Sequence, residues 1–187
     1  MKKRVDLPEK KYEGYIFDLD GTLVDSMPLH YRAWRGALAR AGAPDHVFRA
    51  DEFYSCGGKS ANDVVRFLNE RYGMHMDAAT TAADKRRIYL EMLEKEGMQP
   101  IREVVEFVHS LGDAPKAIAT GSAMPGASRT LAAAGLSGLF DVILTPDEVE
   151  HGKPAPDMFL KAAELLGVSP DRCVVFEDAE PGMKAAA

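Results

Sequence analysis

Cysteine is scarce in this chain: Cys56 and Cys173 are the only two in 187 residues, far apart and outside any C-x-x-C pair. That pattern excludes a disulfide scaffold and a cysteine zinc site, and leaves two plain thiols suited to a reducing compartment. Basic charge is not in excess either. Lys and Arg number 23 against 29 Asp and Glu, a formal net charge of −6. This balance argues against nucleic acid or an anionic membrane as the main partner, since both select a dense basic surface. No apolar run approaches the ~20 residues needed to span a bilayer. The start, Met1-Lys2-Lys3-Arg4, is basic, but Val5-Asp6-Leu7-Pro8-Glu9-Lys10-Lys11 stands where a signal peptide carries its apolar stretch. Cytoplasm is the expected compartment. Internal repeats and low-complexity segments are also missing.

What is present is ordinary for a globular protein: 46% hydrophobic and 28% charged residues. The length suits one domain, or a core with a small insertion. Four short apolar runs read as buried strands: Tyr15-Ile16-Phe17, Ala117-Ile118-Ala119, Val142-Ile143-Leu144 and Cys173-Val174-Val175-Phe176. A helical stripe precedes each of the last three. Val104, Val105, Phe107, Val108 and Leu111 form one, and the segments Ala127 to Ala134 and Pro156 to Leu166 form two more. Each stripe is followed by a glycine (Gly112, Gly135, Gly167), as expected of left-handed helix ends. Strands alternating with helices imply βαβ units, hence an α/β fold with a doubly wound parallel sheet.

The first strand breaks the rhythm. Some 75 residues without a convincing strand follow it, with amphipathic helices expected at Leu29 to Ala41, Asp63 to Tyr72 and Asp84 to Leu93. An all-helical block between two strands of one sheet reads as an inserted domain. The expected division is 1–24 with 101–187 as catalytic core, and 25–100 as helical insertion.

In an open parallel sheet, ligands bind beyond the carboxyl ends of the strands. Those ends lead here into Asp18-Leu19-Asp20-Gly21-Thr22, Thr120-Gly121-Ser122, a loop with Lys153-Pro154-Ala155-Pro156, and Glu177-Asp178. Carboxylates gathered in one place need a cation, and an all-oxygen set suits a hard ion such as Mg²⁺. A lysine and hydroxyls beside it suit a phosphate group. An Asp can attack phosphorus to form an aspartyl-phosphate, and a second carboxyl two residues on can act as general acid and base. Competing motifs fail. A calcium loop starting at Asp18 has Leu23 where Gly is required, and a P-loop ending at Gly58-Lys59-Ser60 has Phe53 where its first Gly belongs. Thr120-Gly121-Ser122 also lacks the framing glycines of a nucleophile elbow.

Phe17-Asp18-Leu19-Asp20-Gly21-Thr22-Leu23-Val24-Asp25-Ser26 resembles the first signature of the haloacid dehalogenase-like hydrolase superfamily. Thr120-Gly121-Ser122, Gly152-Lys153-Pro154-Ala155-Pro156 and Val175-Phe176-Glu177-Asp178-Ala179 with Gly182 resemble its second, third and fourth motifs, in order. The subgroup most similar is that of beta-phosphoglucomutases and sugar-phosphate phosphatases, whose helical cap follows the first motif. The resemblance implies Asp18 as nucleophile and Asp20 as general acid/base, the latter also a metal ligand through its backbone carbonyl. It implies Asp18, Asp178 and Glu177 around Mg²⁺. Thr120, Gly121, Ser122 and Lys153 would bind the phosphate, and Lys153 would also steady Asp18. His30 matches a cap–core histidine, and Lys59 stands near the substrate-reading loop of the cap, although the mutases' arginine is replaced in Ser60 to Asn62.

The function implied is a Mg²⁺-dependent phosphatase acting on a small phosphorylated metabolite, most simply a sugar phosphate, with no nucleic acid or membrane partner and a monomer as the expected state. The alternatives are a beta-phosphoglucomutase-type isomerase and an incomplete fold that binds ligand weakly. The family's chains continue beyond the fourth motif, so the C-terminal end of the core is expected to be truncated at Ala187.

Overall fold

The computed structural model describes residues 11–57 and 59–187. The basic start read from Met1 to Arg4 and Gly58 of the insertion loop lie outside them. The chain forms two compact units: one runs through Asp25 and resumes at Met98, and the other spans Ser26–Gly97.

The first unit is α/β. Its strands are β1 (Gly14–Phe17), β2 (Lys116–Ala119), β3 (Val142–Leu144) and β4 (Cys173–Phe176), in the order β3-β2-β1-β4. Every pairing is parallel: Ile16 lies opposite Ala117 and Val175, and Ile118 opposite Ile143. β1 is therefore central, and the loops after all four strands open on one edge of the sheet. Side chains alternate along β1. Ile16 joins a buried layer with Ala117, Ala119, Leu144 and, from helix α7 (Asp157–Leu166), Met158, Phe159, Ala162 and Ala163. Tyr15 and Phe17 face the other way, onto Phe107 of helix α5 (Arg102–Ser110), and Phe17 stacks on Phe176 at 4.5 Å. Each large apolar side chain buried here contributes ~1.5–3 kcal/mol. Helix α6 (Met124–Ala133) follows β2, and α8 (Glu180–Ala186) follows β4.

The strands fall where the apolar runs place them, with β1 and β2 each starting one residue earlier, at Gly14 and Lys116. β2 begins at Lys116, a residue with only 9% exposure. Its stem packs with the strand while Nζ reaches the carbonyls of Gly112 at 2.6 Å and Ala114 at 3.1 Å.

The second unit holds α1 (Met27–Arg40), α2 (Ala50–Ser55), α3 (Ala61–Tyr72) and α4 (Ala78–Glu96). Ser60 caps α3 by accepting from Asp63 N at 3.1 Å, and Asp77 caps α4 by accepting from Thr80 N at 2.7 Å. Trp34, Leu38, Val47, Phe48, Phe53, Val64, Val65 and Leu68 form its core. Helix α2 is not among the three helices expected from the stripes: six residues with a single buried anchor, Phe53, show no period to detect. Helix α4 starts six residues before the predicted Asp84, because Asp77 supplies its cap.

Candidate active site

At the end of β1 the Asp18 N–H donates to the Phe176 carbonyl at 2.9 Å, so the backbone ladder extends one residue beyond the strand. The chain then turns tightly. Leu23 and Val24 N–H groups both donate to the Leu19 carbonyl, and Gly21 N–H donates to Val24 O at 2.9 Å. Leu19, Leu23 and Val24 are fully buried, and this apolar anchoring fixes the turn that carries Asp18, Asp20 and Thr22. Gly21 has φ of +96°, and a Cβ there would overlap the Asp178 carboxylate. Only glycine meets both conditions.

Asp18 is 6% exposed. The Lys153 Nζ donates to Asp18 Oδ1 at 2.6 Å and to Glu177 Oε2 at 2.7 Å. One buried ammonium thus serves two buried carboxylates. Glu177 Oε1 also accepts from Ala179 N at 3.2 Å. Asp178 Oδ1 accepts from the Thr22 hydroxyl at 3.0 Å. Asp18, Glu177 and Asp178 each offer an oxygen within 4.8 Å of the others. Close approach of helix α8 is possible because Gly182 has no side chain; a Cβ there would overlap the Glu177 carboxyl group.

From β2 comes Thr120, fully buried, whose N–H donates to Leu144 O at 3.0 Å. Its Oγ1 accepts from Ser122 N at 3.1 Å, and the Ser122 hydroxyl donates to Asp20 Oδ2 at 2.6 Å. Gly121 lies between them with open space where a Cβ would stand.

Charge dominates this site. Asp18 and Glu177 share one lysine, and the Asp20 and Asp178 carboxylates lie close by. Burial pushes the Asp18 carboxyl up to about 8; the Lys153 ammonium opposes this, while the charges of Glu177 and Asp20 add to it. Lys153 is itself raised: burial opposes its charge, and the two carboxylates outweigh burial. The cluster therefore carries more negative charge than one lysine neutralises and takes up either a proton or a cation. Its all-oxygen donors fit a hard divalent metal.

Eight of the expected site residues, with Thr22, meet at this sheet edge: Asp18, Asp20, Thr120, Gly121, Ser122, Lys153, Glu177 and Asp178. His30 and Lys59 belong to the helical unit. His30 sits in α1, stacked on Tyr89 at 4.1 Å, with Nδ1 2.9 Å from Lys85 Nζ. Lys59 precedes α3, its Nζ 5.8 Å from the centre of the Phe67 ring. Sequence reasoning did not single out Lys85, whose approach to His30 needs α1 and α4 packed together. It also gave Thr22 no task, although the residue stood inside the first motif.

A family model for haloacid dehalogenase-like hydrolases matches residues 12–187. The chain belongs to that family. It is 36% identical over 178 residues to fructose-1-phosphate phosphatase YqaB of Escherichia coli K12, covering 95% of this chain and 92% of that protein. It is 34% identical over 205 residues to a beta-phosphoglucomutase of Mycobacterium bovis, covering 96% and 78%. Among solved structures it is similar to CbbY from Rhodobacter sphaeroides in complex with phosphate, with a TM-score of 0.79, 26% identity, and 94% and 81% of the two chains covered. These relatives support a phosphoric monoester hydrolase on the α/β fold of this family. Hydrolases of this family generally use a divalent metal, and the acidic cluster is placed to accept one. No helix among the described residues is long and apolar enough to cross a membrane.

Proposed function

We propose that this hydrolase is a Mg²⁺-dependent phosphatase that removes phosphate from a small phosphorylated metabolite, a sugar phosphate, through an aspartyl-phosphate on Asp18, acting as a cytoplasmic monomer. The reading rests above all on the Lys153 ammonium held between Asp18 Oδ1 and Glu177 Oε2, beside the Asp178 carboxylate. Asp18, Asp178, Glu177 and the Asp20 backbone carbonyl would hold the metal. Bound Mg²⁺ supplies the positive charge that keeps Asp18 ionised near neutral pH and neutralises phosphoryl oxygens.

The chain's own groups do the rest. The Asp18 carboxylate attacks phosphorus; the ester P–O bond breaks, and its electron pair goes to the ester oxygen, which takes the proton of Asp20. The Asp20 carboxylate then removes a proton from water as the water oxygen attacks phosphorus, which frees Asp18 and releases inorganic phosphate. Thr120 Oγ1 already accepts one bond from Ser122 N, so its hydroxyl hydrogen is left to donate to a phosphoryl oxygen. Lys153 steadies Asp18 and binds phosphate.

Phosphate release from a panel of sugar phosphates, beginning with fructose 1-phosphate, tests this. Activity should need Mg²⁺, cease with EDTA, and be abolished by Asp18→Asn; full Mg²⁺-dependent activity of that variant would overturn the reading. The identity to a beta-phosphoglucomutase supports a second reading, an isomerase built on the same residues. Beta-glucose 1-phosphate with a trace of bisphosphate separates the two: glucose 6-phosphate marks the isomerase, free phosphate the phosphatase.

A further inference from the structure

Ser122 stands beside the phosphate-binding Thr120, and the resemblance gives it the same duty. The hydrogen bonds give it another. An ionised carboxylate only accepts, so the hydrogen of the Ser122 hydroxyl lies in the 2.6 Å bond to Asp20 Oδ2 and is not available to a phosphoryl oxygen. Oxygen–oxygen bonds this short to a charged acceptor are among the stronger hydrogen bonds in proteins.

The serine is also held from behind. Its N–H donates to Oγ1 of Thr120, a fully buried residue whose own N–H is tied to Leu144 O. A chain of bonds thus runs from the β2–β3 ladder through Thr120 and Ser122 to the Asp20 carboxyl group, across 102 positions of sequence. Asp20 needs such a support. It lies on the Gly21 turn, half-buried, with a side chain that must meet the leaving oxygen within a fraction of an ångström for proton transfer to be efficient. The bond also survives both protonation states, because a protonated Asp20 can carry its proton on the other oxygen while Oδ2 still accepts from Ser122.

We propose that Ser122 is a positioning residue for Asp20: it sets the orientation in which the acid/base carboxyl exchanges protons, rather than binding the phosphate. This rests on the proposed role of Asp20. The step concerned is the one above, in which the breaking ester bond leaves its electron pair on an oxygen that takes the Asp20 proton. Leaving groups that need that proton should therefore feel Ser122, and those that depart as stable anions should feel it much less.

Two substrates separate these cases: the best alkyl phosphate from the panel, whose alkoxide must be protonated, and p-nitrophenyl phosphate, whose phenolate leaves without a proton. The value of kcat/KM is read because it covers the steps through loss of the leaving group. Ser122→Ala should lower kcat/KM on the alkyl phosphate by ~10–100-fold, the usual scale for a misplaced catalytic group, and by at least about tenfold less on p-nitrophenyl phosphate. Ser122→Thr, which keeps the hydroxyl, should recover most of the loss. In an Asp20→Asn background, Ser122→Ala should cost little further, since nothing remains to position. Equal losses on both substrates would overturn the proposal and return Ser122 to phosphate binding or to a structural role. So would a full additional loss in the Asp20→Asn background. The reading of Asp20 fails separately if Asp20→Asn itself does not discriminate between the two substrates.

Discussion

Lys153 Nζ and Asp18 Oδ1 are 2.6 Å apart, both buried, yet burial pushes the carboxyl paired with this ammonium up to about 8, above the ordinary carboxylate range. A single ion pair normally holds a carboxyl low. Here the lysine is shared with Glu177 Oε2 at 2.7 Å, and burial of Asp18 outweighs what remains of its attraction. The site is built with less positive charge than it needs, and that deficit is what a bound cation would fill.

Metal affinity should therefore depend on pH. The folded, metal-free protein keeps a proton on Asp18 that the unfolded chain, titrating near 4, has already released. Its stability should fall as pH rises from there to about 8 and level off above, the reverse of the usual paired carboxylate. A metal must displace the same proton, so apparent Mg²⁺ affinity should climb through this window and then flatten. Titrations of melting temperature with Mg²⁺ at several pH values measure both slopes. An affinity that does not change between pH 6 and pH 8 would contradict the raised Asp18.

Removing Lys153 isolates its two partners. Lys153→Met keeps the length of the stem but leaves Asp18 and Glu177 buried without a counter-charge, a change that typically costs ~3–5 kcal/mol. The loss should be greatest in EDTA at alkaline pH and shrink as acid protonates the carboxylates. Urea unfolding at pH 6 and pH 9, with and without Mg²⁺, checks this. The phosphatase activity of the variant should fall at every pH, because Lys153 is also proposed to bind the phosphate.

Thr22 tests a longer connection. Its hydroxyl donates to Asp178 Oδ1 at 3.0 Å, and Thr22→Val preserves the shape while deleting the donor. Bonds of this kind orient a metal-binding carboxylate, and their removal costs ~10–100-fold in metal affinity or activity. Mg²⁺ half-saturation of phosphate release should rise accordingly, with little change in melting temperature in EDTA.

Much of this was legible before the fold. Apolar runs bounded by turns located all four strands, and the parallel sheet followed from the helices between them. What the periodicity missed has physical reasons. Phe48 adopts φ of 60° while fully buried, a conformation that packing against Trp34 and Phe53 imposes on a residue that rarely takes it. Lys116 reads as a surface lysine because its escape to the Gly112 and Ala114 carbonyls depends on a loop geometry the sequence does not state. In the site, residue types at strand ends were readable one loop at a time. Their partnerships were not: Thr22 meets Asp178 across 156 positions and Ser122 meets Asp20 across 102. Such pairs exist only once β1 lies between β2 and β4.

Gly182 sets helix propensity against the geometry of the site. It lies within helix α8, where alanine is favoured over glycine by up to ~1 kcal/mol, and its backbone has no left-handed requirement. On helix grounds alone Gly182→Ala should stabilise the protein. The new Cβ, however, would overlap the Glu177 carboxyl group. The overlap includes Glu177 Cγ as well as the carboxyl group, so this buried side chain must turn away, and turning it breaks the bond from Lys153 to Glu177 Oε2. The expected result is a melting temperature lowered in EDTA, because the buried Glu177 loses its lysine, alongside a loss of Mg²⁺ affinity and phosphatase activity of ~10–100-fold, the scale for displaced supporting groups. Unfolding and activity measured on the same preparation decide it: a variant that keeps both full activity and full stability would show that Glu177 need not stand where it does.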